Sequence, residues 1–166
     1  MRAKPRPIVV RCYRPSDVDA LIALFRDSVR RVAVRDYTPG QLQAWAPDAI
    51  DRERWARRCA EHRVWVAEID ERPAGFIELA ADGHIDMLYV DADHQRQGVA
   101  RALLEAAEVA ACDAGLSCLS AEGSLTAHGF FERQGFRVVA RQTVRRGDQE
   151  LVNFRMARRL PKKGSQ

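Results

Sequence analysis

The sequence predicts a single α/β domain with a mixed, mostly antiparallel sheet and helices on both faces. Its 166 residues are about the length of one domain, and 46% hydrophobic with 30% charged residues is a globular composition. Apolar spacing is helical early in the chain, strand-like in the middle, and alternates between the two afterwards. We therefore predict one domain over residues 1–160 and a flexible basic tail over residues 161–166.

The first third of the chain predicts one strand and three helices. Residues 8–13 alternate and begin with β-branched side chains, which is typical of a strand. Ser16 would cap the first helix, with an acidic residue three positions later and apolar residues at helical spacing behind it. Thr38 followed by Pro39 starts a second helix. Residues 51–62 form the third.

The remaining elements are mostly strands. An antiparallel meander is expected over residues 63–69, 74–80 and 84–90. A helix over 98–114 then ends at Gly115. The last elements are predicted as a strand over 116–121, a helix over 126–134, and strands over 136–144 and 150–156.

Composition excludes several classes of protein. No apolar run approaches the ~20 residues that cross a bilayer, and the first residues lack the apolar segment of a signal peptide. The four cysteines, Cys12, Cys59, Cys112 and Cys118, form no C-x-x-C pair. We expect them to be reduced core residues, and we expect a cytoplasmic protein without a metal or a membrane partner.

Charge is divided unevenly along the chain. Residues 16–132 hold 12 arginines, no lysine and 21 acidic residues, whereas the two ends hold 15 basic and two acidic residues. The simplest interpretation is a solvated surface with basic ends. The alternative is an acidic body that favours a cationic substrate, with basic segments available for phosphates. Nucleic-acid binding has only the basic pI of about 9.1 in its favour, so we expect no such partner.

One strand–loop–helix segment carries the clearest chemical signal. After a strand that ends at Val90, a helix opens with Gly98 and Ala100 in its first turn. That turn leaves backbone N–H groups unpaired, so a diphosphate can bind where small side chains allow its approach, and Arg96 or Arg101 would add charge. The alternative is an ordinary packing role for the two small residues.

Two motifs make the sequence resemble the GNAT superfamily of N-acetyltransferases. Gln95-x-x-Gly98-x-Ala100 is similar to the family's acyl-CoA signature, Gln/Arg-x-x-Gly-x-Gly/Ala. The run from Ser124 to Phe136, with an aromatic pair followed by Gly-Phe, is similar to the family's later motif. The resemblance extends over about residues 8–160 and is greatest to small bacterial members.

The resemblance implies a GNAT-like fold and acetyl-CoA as the acyl donor. The strand before the loop would splay from its neighbour and pair with the pantetheine arm, and the Leu88 N–H would polarise the thioester carbonyl. Ser124 would lie near the thioester, and Arg133 would reach the adenosine phosphates. The cofactor-binding positions implied in this way are Leu88, Tyr89, Val90, Gln95, Arg96, Gln97, Gly98, Val99, Ala100, Arg101, Ser124, Phe131 and Arg133.

The sequence departs from the family at the general acid. Many members protonate the leaving thiolate with a tyrosine of the aromatic pair, and here that position is Phe131, which has no proton to donate. A thiolate is already a good leaving group, so an acid helps without being obligatory. Water, Ser124 or Tyr37 could substitute, and the sequence ranks none of the three above the others.

Asp86 is the predicted proton acceptor for the attacking amine. In a strand of period two, His84, Asp86 and Leu88 share a face, and that face leads to the thioester. Apolar neighbours would desolvate Asp86 and make its charge costly, which suits a general base. The alternatives are that Asp86 caps a turn or pairs with an arginine, and that His84 takes the role.

The predicted function is acetyl transfer from acetyl-CoA to a small-molecule or peptide amine by direct attack in a ternary complex. A catalytically silent acyl-CoA-binding module is the alternative, which Phe131 keeps open. The acceptor amine is not specified. Trp45, Trp55, Tyr37 and Arg35 would line its pocket, unless the tryptophans belong to the core. We expect a monomer or a homodimer.

Overall fold

A seven-stranded sheet organises the fold in the computed structural model, which describes residues 3–162 and residue 164. Its strands lie in the order β1-β2-β3-β4-β5-β7-β6, and only the pair β4–β5 is parallel. The strands are β1 (Val9–Cys12), β2 (Arg63–Ile69), β3 (Arg72–Leu79), β4 (His84–Val90), β5 (Cys118–Ser124), β6 (Arg137–Arg146) and β7 (Gln149–Arg159). The predicted fold class, mixed and mostly antiparallel, is confirmed.

Five α-helices in the described residues cover the two faces of the sheet. They are α1 (Val18–Val32), α2 (Pro39–Trp45), α3 (Arg52–Glu61), α4 (Val99–Asp113) and α5 (His128–Arg133). Helices α1 to α3 share one apolar core with the sheet, and α4 and α5 share the other. Val64 and Val66 of β2 face the α1 side, whereas Trp65 and Ala67 face the α4 side. The central strands are therefore buried on both faces.

Helix starts test the capping predictions directly. At α2 the prediction is confirmed, because Thr38 Oγ1 accepts from the Gln41 N–H at 3.2 Å and Gln41 Oε1 accepts from the Thr38 N–H at 2.9 Å. At α1 the prediction that Ser16 is the cap is wrong. Ser16 lies inside a short 3-10 turn, Pro15–Asp17, and the helix begins after it.

A β-bulge in β4 overturns the prediction for the face of Asp86. The register between β3 and β4 shifts at Asp86, which becomes an extra residue in its strand. Ile85 and Leu88 therefore both pack on the α4 side, and Asp86 points to the other side, where its carboxylate lies 3.8 Å from Arg58 Nη2. About 30% of the Asp86 side chain is exposed, so the predicted desolvation is also wrong.

The cysteines and the chain ends complete the comparison with the sequence. All four cysteines are free; Cys59 is buried as predicted for a core residue, but Cys12 is exposed. Within residues 3–162, no helix is long and apolar enough to cross a membrane. Of the predicted basic tail, residues 163, 165 and 166 lie outside the described residues.

Candidate active site

A cleft opens between β4 and β5 because the two strands pair only at their beginnings. Parallel pairing joins His84 to Ser120 and Ile85 to Ala121, and no further residues of the two strands pair, although β4 continues to Val90. Beyond these pairs the strands diverge, and the cavity between them has a volume of about 1200 Å³. We refer to it as the large cavity.

Backbone groups of β4 face this cleft without a strand partner. The Asp91 N–H donates to the Ala74 carbonyl at 2.8 Å, and backbone direction alternates along an antiparallel strand. The N–H groups of Leu88 and Val90 therefore point away from β3, into the cleft. The Gln95 side chain agrees with that direction, because its Nε2 donates to the Val90 carbonyl at 2.9 Å.

The start of α4 forms one end of the large cavity. Gly98 precedes the helix with φ of 88°, a left-handed conformation that favours glycine. A Cβ at this position would meet only Ile8 Cδ1, at 3.9 Å. No side chain in the described residues caps α4, so its first N–H groups are available to an anion.

Arginines from three helices and two loops surround the same cavity. Those in the described part of the chain are Arg31, Arg35, Arg96, Arg101 and Arg133. Arg31 is oriented by Asp93, 2.7 Å away, in the loop before α4. Guanidinium groups bind phosphates through charge-assisted hydrogen bonds, so this end of the cavity suits a diphosphate or a phosphate monoester.

Most of the predicted cofactor-binding residues meet in this cavity. Those that line it are Leu88, Tyr89, Val90, Gln95, Arg96, Gly98, Val99, Ala100, Arg101, Ser124, Phe131 and Arg133. Gln97 does not line it; its Nε2 lies 3.5 Å from the Asp93 carbonyl. Gln95 contributes through its position, because its side-chain amide is already bonded to backbone carbonyls of the loop.

The candidate acids differ in whether their proton is free. The Tyr37 hydroxyl donates to the Val152 carbonyl at 2.7 Å and accepts from the Leu125 N–H at 2.9 Å. Tyr37 is buried and lines neither cavity, and burial raises its pKa although the bond from Leu125 opposes the shift. Ser124 Oγ lines the cavity and accepts from the Ala127 N–H at 3.0 Å, which leaves the hydroxyl proton to donate.

A second cavity of about 220 Å³ adjoins the first on the α1 side of the sheet. We refer to it as the small cavity. Its lining residues are Phe25, Trp45, Arg58, His84, Ile85, Asp86, Met87, Tyr89, Glu122 and Arg146. The residues that line both cavities, which we call the junction, are Trp45, Ile85, Asp86, Tyr89 and Glu122. The two cavities therefore share part of their lining.

Asp86 belongs to a chain of polar side chains beside the junction. His84 Nε2 lies 3.5 Å from Asp86 Oδ1, and His84 Nδ1 lies 2.8 Å from Ser120 Oγ. Arg58 is close to Asp86 and binds both carboxylate oxygens of the buried Glu78 through its Nε, at 2.8 and 3.0 Å. The structure thus bears out the alternative that Asp86 pairs with an arginine.

One group of side chains has metal-ligand composition. His62, Glu78 and Asp86 place ligand atoms within 4.8 Å of one another. His62 Nδ1 and Arg58 Nε both contact the Glu78 carboxylate, so a guanidinium already supplies the positive charge there. The group fits an ion-pair network better than a metal site.

Two tryptophans and one acid refine the predicted acceptor region. Trp55 is buried against Phe25, with ring centroids 5.3 Å apart, and belongs to the core. Trp45 lies at the junction and donates from Nε1 to the Tyr89 hydroxyl at 3.1 Å.

Glu122 was missed by the sequence prediction, which ended β5 at residue 121. The period-two alternation Ser120, Glu122, Ser124 was the signal that could have found it.

Comparison with known sequences gives consistent matches. Residues 33–158 match the family model described as "Acetyltransferase (GNAT) domain". The chain is 40% identical over 149 residues to "Uncharacterized N-acetyltransferase YafP" of Escherichia coli K12, covering 90% of this chain and 94% of YafP. It is 31% identical over 138 residues to "Peptidyl-lysine N-acetyltransferase YjaB" of Salmonella typhimurium LT2, covering 82% and 88%.

Solved structures share the whole fold. A GCN5-related N-acetyltransferase from Rhodopseudomonas palustris superposes with a TM-score of 0.89 at 31% identity, covering 96% of this chain and 99% of that one. The PaiA N-acetyltransferase of Thermoplasma acidophilum, solved in complex with coenzyme A, gives a TM-score of 0.76 at 19% identity, covering 92% and 99%. At 19% identity, the similarity to PaiA is a similarity of fold alone.

Proposed function

The chain belongs to the GNAT family of N-acetyltransferases, and on that premise we propose that an amine attacks acetyl-CoA directly while both substrates are held at the junction. The observation that carries the proposal is that the large and small cavities share the junction residues in their linings. Holding both reactants in one site supplies much of the rate by proximity, without a covalent acetyl-enzyme.

The large cavity fits the donor. We assign the diphosphate to the start of α4, where unpaired N–H groups and arginines converge. The N–H groups of Leu88 and Val90, which have no strand partner, suit the amide-bearing pantetheine arm. The Leu88 N–H would then face the thioester carbonyl and stabilise the negative charge that develops on its oxygen. The PaiA N-acetyltransferase, which shares the fold, was solved with coenzyme A bound, and this supports a coenzyme A thioester as the donor.

The chemical step needs one proton acceptor and one proton donor. As the C–N bond forms and the C–S bond breaks, the amine gives up a proton and the thiolate gains one. We assign the acceptor role to Asp86, at the junction, with His84 close enough to pass the proton on. Ser124 or a water molecule is the donor, since Phe131 cannot serve and the Tyr37 hydroxyl is already engaged.

The cysteines support direct attack. Among the described residues, no cysteine lines either cavity, so no thiol is placed to accept the acetyl group. Burial raises the pKa of the Cys59 thiol to about 11, which removes its thiolate at neutral pH.

The relatives are bacterial, and free thiols suit the reducing cytoplasm where we place the protein. One chain supplies every junction residue, so a monomer suffices.

Initial-rate kinetics test the proposal. Acetylation of an amine should give intersecting double-reciprocal lines when acetyl-CoA and amine are varied together. Parallel lines would indicate an acetyl-enzyme and contradict direct attack. Tight acetyl-CoA binding with no thiol release, across simple amines, polyamines and lysine peptides, would instead favour the silent binding module.

The proton acceptor is tested separately by Asp86→Asn. Turnover should fall by ~10²-fold or more, with acetyl-CoA affinity little changed and the acidic limb of the pH–rate profile flattened. Asp70→Asn, in an exposed pair with Arg6, is the matched control and should leave both unaffected. Wild-type turnover and an unchanged profile in Asp86→Asn would make Asp86 structural, and His84 or Glu122 would be tested next.

A further inference from the structure

The small cavity is lined by one acidic and one basic side chain, both exposed to solvent, that form no ion pair with a described residue. Arg58 is matched there by Glu78 and Asp86. Glu122 and Arg146 line the same cavity, yet within residues 3–162 neither side chain forms a hydrogen bond or an ion pair. They do not form an ion pair with each other either. The cavity therefore presents two separated, opposite charges to whatever occupies it.

Arg146 is an exposed residue at the end of an anchored hairpin. It is the last residue of β6, next to the turn that leads into β7. Gln41 Nε2 at α2 donates to the Glu150 carbonyl at 2.8 Å, and the Tyr37 hydroxyl donates to the Val152 carbonyl at 2.7 Å. The β6–β7 hairpin is thus anchored at two points close to its turn.

Aromatic side chains form the floor of the small cavity, and the charge of Arg146 affects the pKa of one of them. Phe25 and Tyr89 contact each other with ring centroids 4.8 Å apart, and Trp45 lies 6.3 Å from Tyr89. Burial raises the pKa of Tyr89 to about 12, while the Trp45 hydrogen bond and the positive charges of Arg146 and Arg58 oppose that shift. A short apolar spacer would pack well on these rings.

The volume of the small cavity suits a small occupant. About 220 Å³ is the space of roughly seven water molecules at ~30 Å³ each. A compact amine fits this space, whereas a peptide lysine would bring a neutral backbone beside Arg146 and leave its charge unused in binding.

We propose that the acceptor is a small amine that also carries a carboxylate. Glu122 binds its ammonium group at the junction, next to the thioester, and Arg146 binds its carboxylate at the hairpin. The aromatic floor packs against the spacer between the two groups. The inference rests on the proposed function, because it names the substrate class of the same site.

Matched acceptor pairs test this inference. β-Alanine, γ-aminobutyrate and δ-aminovalerate are each compared with the alkylamine in which a methyl group replaces the carboxylate, so that the amine basicity barely changes. The wild-type kcat/KM should favour at least one amino acid by about tenfold or more, equivalent to ~1.4 kcal/mol. Arg146→Gln should erase that preference by raising KM for the acid, with the alkylamine unaffected.

Arg145→Gln is the control variant. Arg145 is the neighbour of Arg146 on the same strand, its Nε donates to the Gly147 carbonyl at 3.2 Å, and it does not line the cavity. Its variant should keep the preference. Glu122→Gln should instead lower kcat/KM for both members of each pair, because both carry the ammonium group.

Three results would overturn the inference: equal use of acids and alkylamines by the wild type, a preference that survives Arg146→Gln, or faster acetylation of a lysine peptide without a nearby carboxylate. A failure of the proposed function has a different signature. It would appear as acetyl-CoA binding without acetylation of any amine, or as parallel initial-rate lines.

Discussion

Glu78 is a buried carboxylate whose charge is compensated by its neighbours. The residue is 1% exposed, and an unpaired charge at that depth would destabilise the fold strongly. Arg58 and His62 both contact it, so α3 is tied to β3 beside the bulge that carries Asp86. A residue outside the catalytic set thereby orients the arginine that Asp86 faces.

Gly98 is the residue where backbone conformation and ligand access coincide, and Gly115 provides its control. Both have positive φ, 88° and 76°, and a Cβ would meet nothing within 3.8 Å at either. Alanine at either position should cost ~1 kcal/mol in the free energy of unfolding, measured by chemical denaturation. Only Gly98→Ala should weaken acetyl-CoA binding, by about tenfold in calorimetry.

That difference depends on the place of Gly98 in the loop before α4. Alanine disfavours the left-handed conformation of residue 98, and a change in that conformation moves the first N–H groups of α4, which we assign to the diphosphate. The diphosphate assignment would be contradicted if Gly98→Ala bound acetyl-CoA as tightly as the wild type. It would also be contradicted if both alanine variants lost the same affinity.

At the scale of elements, the divergence of β4 from β5 is what creates the site. Had the strands stayed paired beyond Ile85, the backbone of Leu88 and Val90 would be satisfied by the sheet and no donor could lie between them. The bulge at Asp86 adds a second consequence, because it turns a carboxylate toward the small cavity. One strand thus lines both cavities.

Amide hydrogen exchange measures this arrangement. Coenzyme A should slow exchange of the Leu88 and Val90 amides, which face the cleft. It should change Met87 and Tyr89 little, because their amides face β3 and are already protected. Slowing of all four to the same degree would indicate general stabilisation and contradict direct pairing with the pantetheine arm.

At the scale of the whole molecule, one ion network joins three elements at the start of the domain. Arg11 of β1 binds Asp17, before α1, through two nitrogens at 2.9 and 2.8 Å, and its Nε binds Glu68 of β2 at 2.7 Å. The Arg14 N–H also donates to Asp17, at 2.7 Å. These bonds to the Arg11 guanidinium and the backbone lower the pKa of Asp17, despite its burial.

The stability of the domain should therefore depend on the charge of Asp17. A lowered folded-state pKa means that the contribution is complete above the unfolded value of ~3.9 and is lost as pH falls through the folded value. Asp17→Asn should cost ~2 kcal/mol in the free energy of unfolding at neutral pH. Its deficit relative to the wild type should shrink below about pH 4.

Asp19→Asn is the matched control for that titration. Asp19 pairs with Arg52 on the surface, where 75% of its side chain is exposed, and such pairs contribute little. A pH-independent deficit in Asp17→Asn would show that shape rather than charge matters at this position.

Local chemistry is what the sequence by itself determined. The family, the fold class, the Thr38 cap and the bounds of β2 and β4 follow from neighbours along the chain, because caps, turns and alternation are short-range effects. The open start of α4 belongs to this group as well. Its glycine, its small residues and its arginines lie within a few positions of one another.

Only the tertiary structure decided the rest of the site. The face of Asp86 depends on a register shift against β3, and strand register is set by packing across the sheet, which no local pattern records. The same is true of the Tyr37 hydroxyl, which bonds to one residue of β7 and to one residue of the loop after β5. Glu122 and Arg146 come from different strands, and only sheet order brings their opposite charges to one cavity.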